Sequence, residues 1–264
     1  MKPLGLTVLQ VGIVGLMIAV AGSIMPESAR VARAGEPMAA TPPQPPSQFQ
    51  TPLELFKTWN FDKEKTEQMP AGFSAFSIGN NGGTPIWIVA HDPNAQTPPN
   101  LLKQSAPCST DCSRILLVDA LQYEYLDLIV RLRLDATSGE ANGEAGMVFG
   151  ARDHQNYYGV TIDLLGKNMQ VTRVQEGKAT ALADSEVTPK PVVWHLLRVR
   201  RNTTISKEYI EVFLDGAQIF SIEDKTFGAG RIGLITRGAA TAEFDSLTAA
   251  PLYSQKPLSG PAAY

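Results

Sequence analysis

The 264-residue sequence predicts an all-β fold in which two sheets pack face to face as a sandwich. Residues 123–134 alternate apolar and mostly charged side chains, which indicates a long strand with one buried face and one polar face. Many shorter segments show the same alternation, with glycine-bearing turns between them and no long amphipathic helix. The apolar side chains of the long strand are Leu126, Leu128, Val130, Leu132 and Leu134.

The first 34 residues have the layout of a secretory signal peptide. Lys2 precedes an apolar run over residues 4–21, and the small residues Ala32 and Ala34 mark a cleavage site after Ala34. An uncleaved amino-terminal anchor is the alternative, because the run is nearly long enough to span a bilayer. We therefore expect an exported protein in the periplasm, on the cell surface or outside the cell, membrane-anchored if the signal is not cleaved.

The rest of the chain divides by composition into three parts. Residues 35–52 are a proline-rich linker, expected to be disordered because proline removes amide donors and favours extended chain. Residues 53–251 are predicted to form one β-sandwich domain, and residues 252–264 a loose tail.

Five short strands are predicted before the long strand. The turn-rich residues 79–83 separate the second from the third, and the proline-rich residues 92–100 form the next loop. These strands are expected at residues 59–62, 72–78, 86–91, 101–104 and 115–118.

After the long strand, residues 135–144 are polar and predict an exposed loop. Gly166 and Gly177 mark two of the following turns, and the Asp215-Gly216 pair between two alternating runs is a strong hairpin signal. The later strands are expected at residues 146–152, 156–164, 168–175, 178–183, 194–201, 209–214, 218–222, 232–236 and 242–249.

The formal net charge of −3 gives no reason to expect nucleic acid or an anionic membrane surface as a partner. No glycine-rich motif for a dinucleotide or a phosphate is present. Cys108 and Cys112 are the only cysteines, and in an exported protein they are expected to form a local disulfide. A metal site would need further ligands nearby, and a redox motif usually has two residues between its cysteines.

Several motifs follow one another in the second part of the chain. They are G-M-V-F at 146–149, A-R-D at 151–153, N-Y-Y-G-V at 156–160, W-H at 194–195, V-F-L-D-G at 212–216, G-R-I-G-L at 230–234 and F-D-S-L at 244–247. Their order resembles the concanavalin A-like and laminin G-like jelly rolls, and is most similar to the bacterial 3-keto-disaccharide hydrolase family. The resemblance covers residues 59–249 and implies a two-sheet jelly roll. It implies little about activity, because one fold hosts lectins, hydrolases and adhesion modules alike.

The polar face of the long strand is the predicted ligand-binding surface. Sugar recognition needs an aromatic platform together with planar hydrogen-bonding groups. The alternative is that the arginines of this face form surface ion pairs with Asp127, Asp163 and Glu211. The candidate ligand-binding residues are Arg131, Arg133, Arg152, Asn156, Tyr158, Asp163, Arg173, Trp194 and Arg198.

No catalytic residue is assigned from the sequence. A glycosidase needs two carboxylates that flank the scissile bond, about 5 Å apart in a retaining enzyme and somewhat farther apart in an inverting one. Glu124 and Asp127 are the nearest match, but their spacing places them on opposite faces of a strand, and we expect them to be solvated or paired with Arg131 or Arg133.

Jelly rolls of this group often hold a structural calcium, and this resemblance makes Asp62 and Asp245 candidate ligands on neighbouring strands. No other cofactor is expected.

The sequence therefore favours an exported, non-catalytic jelly-roll module that binds carbohydrate or a cell-envelope glycan. One alternative is a glycoside hydrolase that acts on 3-keto-disaccharides or related sugars. The other is a structural or adhesion module that binds a protein.

Overall fold

The computed structural model describes residues 52–79, 84–106, 108, 112–134, 143–163, 166–190, 192–204 and 207–252. The predicted signal peptide, the linker up to residue 51, and the tail from residue 253 lie outside the described residues. Within the described part of the chain, no helix is long and apolar enough to cross a membrane.

Fifteen strands, numbered in chain order, make up almost all of the regular structure among the described residues; the exception is a 3-10 turn at Pro52–Leu55. They are β1 Lys57–Trp59, β2 Phe73–Ile78, β3 Trp87–His91, β4 Asn100–Gln104, β5 Ser113–Val118, β6 Leu126–Leu134, β7 Gly143–Asp153, β8 Asn156–Asp163, β9 Asn168–Gln175, β10 Lys178–Glu186, β11 His195–Thr204, β12 Lys207–Leu214, β13 Ala217–Glu223, β14 Arg231–Gly238 and β15 Ala242–Pro251.

The strands form two antiparallel sheets that pack as a jelly-roll sandwich, which confirms the predicted fold class. Sheet A has the order β13-β12-β11-β6-β15-β4-β3, and β1 pairs with the later part of β15. Sheet B has the order β10-β9-β8-β7-β14-β5-β2. The chain therefore crosses repeatedly from one sheet to the other, among other places between β6 and β7.

The alternation in β6 determines which of its two faces packs in the core. Its five apolar side chains are buried, whereas Asp127, Ile129, Arg131 and Arg133 are only partly buried on the outer face of sheet A. The buried side chains pack in one cluster with apolar residues of sheet B, among them Phe149. Burying such side chains contributes roughly 1.5–3 kcal/mol each, so this interface supplies most of the driving force for folding.

Glycines explain two local features of the sheets. Gly150 has a φ of +58° and lies where the β7–β8 register shifts between Phe149 and Asp153, so the glycine accommodates a bulge. Asp215 and Gly216 have φ values of +50° and +86°, which fit the tight turn predicted between β12 and β13.

Some predicted boundaries were wrong, for identifiable reasons. The first strand ends at Trp59 instead of residue 62, because Phe61 adopts a φ of +63°, outside the extended range of a regular strand. The long strand begins at Leu126 instead of Tyr123, which makes only an isolated bridge to Gly230. The loop predicted at residues 135–144 ends earlier than expected, because β7 already begins at Gly143. Residues 135–142 lie outside the described residues.

The predicted disulfide between Cys108 and Cys112 is confirmed. The amide of Cys108 donates to the carbonyl of Gly238 at 3.0 Å, and the amide of Gly238 donates to the carbonyl of Cys112 at the same distance. The bridge therefore holds the connection between β4 and β5 against the end of β14. Closing so short a loop constrains little chain entropy, so its effect is local.

Candidate functional site

The nine candidate ligand-binding residues lie on two different sheets. Arg131, Arg133 and Arg198 belong to β6 and β11 of sheet A, and Trp194 directly precedes β11. The other five belong to β7, β8 and β9 of sheet B; they are Arg152, Asn156, Tyr158, Asp163 and Arg173. The prediction that all nine line one face is therefore wrong, because alternation reports which face of a strand is buried but not which sheet the strand joins.

Ion pairs occupy much of the outer face of sheet A. The guanidinium of Arg198 donates to both carboxylate oxygens of Asp127, at 2.8 and 2.5 Å. Arg133 donates to Glu243 at 2.6 Å and to Asp92 at 2.8 Å. The pair of Arg198 and Asp127 is the arrangement that the alternative interpretation predicted. Glu211 instead contacts Arg200 at 3.6 Å, an arginine that was not among the candidates.

Two side chains of this face remain of interest for binding. The side chain of Arg131 makes no hydrogen bond or ion pair with any of the described residues. Trp194 is partly buried beneath the guanidinium of Arg133, which lies 4.8 Å from the ring centroid. The role of both residues in ligand binding stays a prediction.

Tyr158 is fully buried between the sheets and cannot serve as a surface platform, contrary to our expectation. Its hydroxyl donates to Asp224 and accepts a hydrogen bond from the amide of Phe227 at 3.1 Å. Burial, followed by the bond to Asp224, raises the pKa of Tyr158 to about 12. Arg173 joins the same group through a 2.6 Å contact with Asp224 and a 2.9 Å bond to Thr226.

This polar group fastens the chain between β13 and β14 to sheet B. Burial alone would raise the pKa of Asp224, but hydrogen bonds from Tyr158 and Thr226 and the charge of Arg173 together hold it below its usual value. Arg201, whose side chain is fully buried, donates to the carbonyls of Gly228 and Phe227 and to Glu208. Sequence reasoning missed Arg201, because its partners lie on a connection whose path no local pattern predicts.

The remaining sheet B candidates have local structural roles. The side-chain nitrogen of Asn156 donates to the carboxylate of Asp153 at 3.0 Å, and its side-chain oxygen accepts from the backbone amide of Glu176 at 3.0 Å. These two bonds connect two turns. Asp163 accepts from the backbone of Gly166 at 2.7 Å. Arg152 is exposed and lies 5.5 Å from the ring centroid of Phe227.

Asp62 and Asp245 lie near each other, as the calcium prediction requires. Asp245 is fully buried, and burial, with a further contribution from the negative charge of Asp62, raises its pKa. Its carboxylate accepts from the amide and hydroxyl of Thr97, each at 2.7 Å, and from the amide of Ser246 at 2.6 Å. Among the described residues no group of three or more His, Cys, Asp or Glu side chains is placed to hold a metal, so calcium stays a prediction.

Glu124 and Asp127 do not form a catalytic pair. Glu124 is exposed, and Asp127 is bound by Arg198 instead of the expected Arg131 or Arg133. A carboxylate held in two hydrogen bonds by an arginine is a poor general base or nucleophile, because its lone pairs and charge are already engaged.

An open cleft lies at one edge of the sandwich, where β1 of sheet A faces β2 of sheet B. Its volume is about 530 Å³, within the usual range for a small-molecule site. The ring of Trp59 meets that of Phe73 edge to face across the gap, with 6.0 Å between centroids. We call this cavity the edge cleft; its lining residues are Glu54, Lys57, Thr58, Trp59, Asn60, Phe61, Lys63, Glu64, Ala71, Gly72, Phe73, Val118, Ala120 and Leu121.

The edge cleft combines an apolar floor with a polar rim. Trp59 is only partly buried, whereas Phe61 and Phe73 beneath it belong to the core. On the rim, the side-chain amide nitrogen of Asn60 donates to Asp62 at 2.7 Å, and its amide oxygen accepts no hydrogen bond from the described residues. A partly exposed indole beside hydrogen-bonding groups is the arrangement that stacks on the apolar face of a sugar ring.

A second cavity, of about 460 Å³, lies at the opposite edge beside β12 and β13. All of its lining side chains are charged or polar, and Lys207 and Glu223 form an ion pair of 2.8 Å there. Because this cavity has no aromatic surface, the edge cleft is the better candidate for a ligand.

No family model matches the chain, and no curated protein matches it. The resemblance to the 3-keto-disaccharide hydrolase family therefore stays a prediction. Among solved structures, the carbohydrate binding module CBM66 from Bacillus subtilis is similar, with 15% identity and a TM-score of 0.53 over 68% of this chain and 95% of that chain. The cellulose induced protein Cip1 is similar with 13% identity and a TM-score of 0.52, over 74% of this chain and 98% of that one. At these identities the likeness establishes the jelly-roll fold alone.

Proposed function

We propose that the chain is an exported, non-catalytic carbohydrate-binding module that holds a glycan in the edge cleft. The observation that carries this proposal is the partly exposed Trp59 over an apolar floor, with hydrogen-bonding side chains around it. A structural neighbour that is itself a carbohydrate binding module supports the proposal. A glycan of the cell envelope is the expected ligand, since export would bring the module to that surface.

The first test removes the indole of Trp59, which lies over the apolar floor of the edge cleft. Trp59→Ala is expected to weaken glycan binding about tenfold or more in isothermal titration, because both the stacking and the apolar contact of the indole are lost. Trp194→Ala, on the outer face of sheet A, is the matched control and is expected to bind as the parent chain does. Thermal unfolding of both variants checks that the fold survives, since Trp59 also packs on Phe73.

Three outcomes would contradict this proposal in different ways. Unchanged affinity of Trp59→Ala, with loss of binding in Trp194→Ala or Arg131→Ala, would move the site to the outer face of sheet A. Turnover of 3-keto-glucosides above the blank would favour the hydrolase alternative. A crosslinked protein partner in the absence of any glycan affinity would favour an adhesion module.

A further inference from the structure

The charged side chains on the rim of the edge cleft differ in whether they already have an interaction partner in the described part of the chain. The carboxylate of Glu64 accepts from the backbone of Ala71 at 3.4 Å, and Glu54 also has an interaction partner. Lys57 and Lys63 line the same cleft, and their ammonium groups form neither an ion pair nor a hydrogen bond with any described residue. The two acids are engaged and the two ammonium groups are available to a ligand.

The position of Lys57 relative to the indole is set by the strand. Thr58 directs its hydroxyl towards that of Thr248, at 3.3 Å, on the outer face of sheet A. Side chains alternate along a strand, so Lys57 and Trp59 project together to the other side of β1, into the cleft. Two residues along a strand span about 7 Å, roughly the width of one sugar ring with its substituent. A ring stacked on Trp59 would therefore carry its exocyclic group towards the ammonium of Lys57.

We propose that the edge cleft selects an acidic sugar, one that carries a carboxylate or a sulfate, through Lys57 and Lys63. This inference rests on the proposed function, because it names the class of glycan that the same cleft takes. An ammonium group is a compact point charge without preferred planar geometry, so both kinds of anion fit it. The anion would supply the partner that the two lysines lack among the described residues.

The experiment compares trisaccharides of equal length that carry or lack a negative charge. Trigalacturonic acid and its fully methyl-esterified form have the same ring sequence, and a sulfated galactan trimer of equal length tests the second anion. We expect the free acid to bind at least about threefold more tightly than the ester, and this preference to shrink as sodium chloride screens the charges. The sulfated trimer shows which of the two anions is preferred.

Matched variants assign the preference to the two lysines. Lys57→Gln and Lys63→Gln are each expected to lower affinity for the acid about two- to fivefold, the range for one exposed ion pair, and to leave affinity for the ester unchanged. Lys65→Gln is the control, because Lys65 is exposed, close in sequence and not part of the cleft lining.

The possible failures can be told apart. Equal affinity for acid and ester, with Trp59 still required, would overturn the inference and leave the proposed function in place. An equal effect of Lys65→Gln and Lys57→Gln would also overturn it, because the attraction would then be general rather than local. Binding of neither anionic nor neutral trimers would overturn both the inference and the proposed function.

Discussion

At the scale of single residues, the buried polar group around Asp224 shows how the ionisation of one carboxyl stabilises the fold. Its carboxylate is engaged by Tyr158, Arg173 and Thr226, which together hold its pKa low despite burial. A carboxyl with a lowered pKa in the folded state stabilises the fold above its unfolded pKa, near 3.9. This contribution is lost as the pH falls through the lower, folded value.

Asp224→Asn should therefore reduce the free energy of unfolding at pH 7, with a difference from the parent chain that narrows below about pH 4. Urea unfolding at a series of pH values measures this difference. Asp184→Asn, at an exposed position without an ion pair among the described residues, is the control. A difference that stays constant between pH 7 and pH 3 would show that the charge of Asp224 does not stabilise the fold.

At the scale of single elements, the β12–β13 hairpin isolates the effect of backbone conformation. Gly216 has a φ of +86°, and a methyl group added there would meet no atom within 4 Å. Gly216→Ala is expected to cost about 1 kcal/mol in chemical unfolding, because only the strained backbone opposes it. Gly228 also has open space around it but no positive φ, so Gly228→Ala should be close to neutral. Equal effects of the two substitutions would contradict this explanation.

The strands were predictable from the sequence because their period of two is a local signal. The alternation from Leu126 to Leu134 alone determines which side chains of β6 enter the core. Pairing partners were not predictable in the same way: Asp127 meets Arg198, 71 positions away in the chain, and Arg133 meets Glu243, 110 positions away. Such contacts depend on strand order, which alternation does not encode.

At the scale of the whole molecule, the candidate site arises where the two sheets part. β1 ends sheet A on one side of the edge cleft, β2 ends sheet B on the other, and the corner between β5 and β6 closes one end. Trp59 was predicted as a residue of the first strand, but its position in a cleft depends on three segments that are distant in sequence. The sequence therefore predicted the two-sheet architecture but not the cleft.

The central claim is that an acidic glycan binds in the edge cleft against Trp59. The three tryptophans occupy three different environments, since Trp87 is buried in the core, Trp194 lies on the outer face of sheet A and Trp59 lines the cleft. Titration of the ¹⁵N-labelled protein with trigalacturonic acid, with each indole N–H resonance assigned by a single Trp→Phe variant, separates these sites directly. We predict a saturable shift of the Trp59 resonance with the other two unmoved; a shift of Trp194 alone, or of none, would contradict the claim.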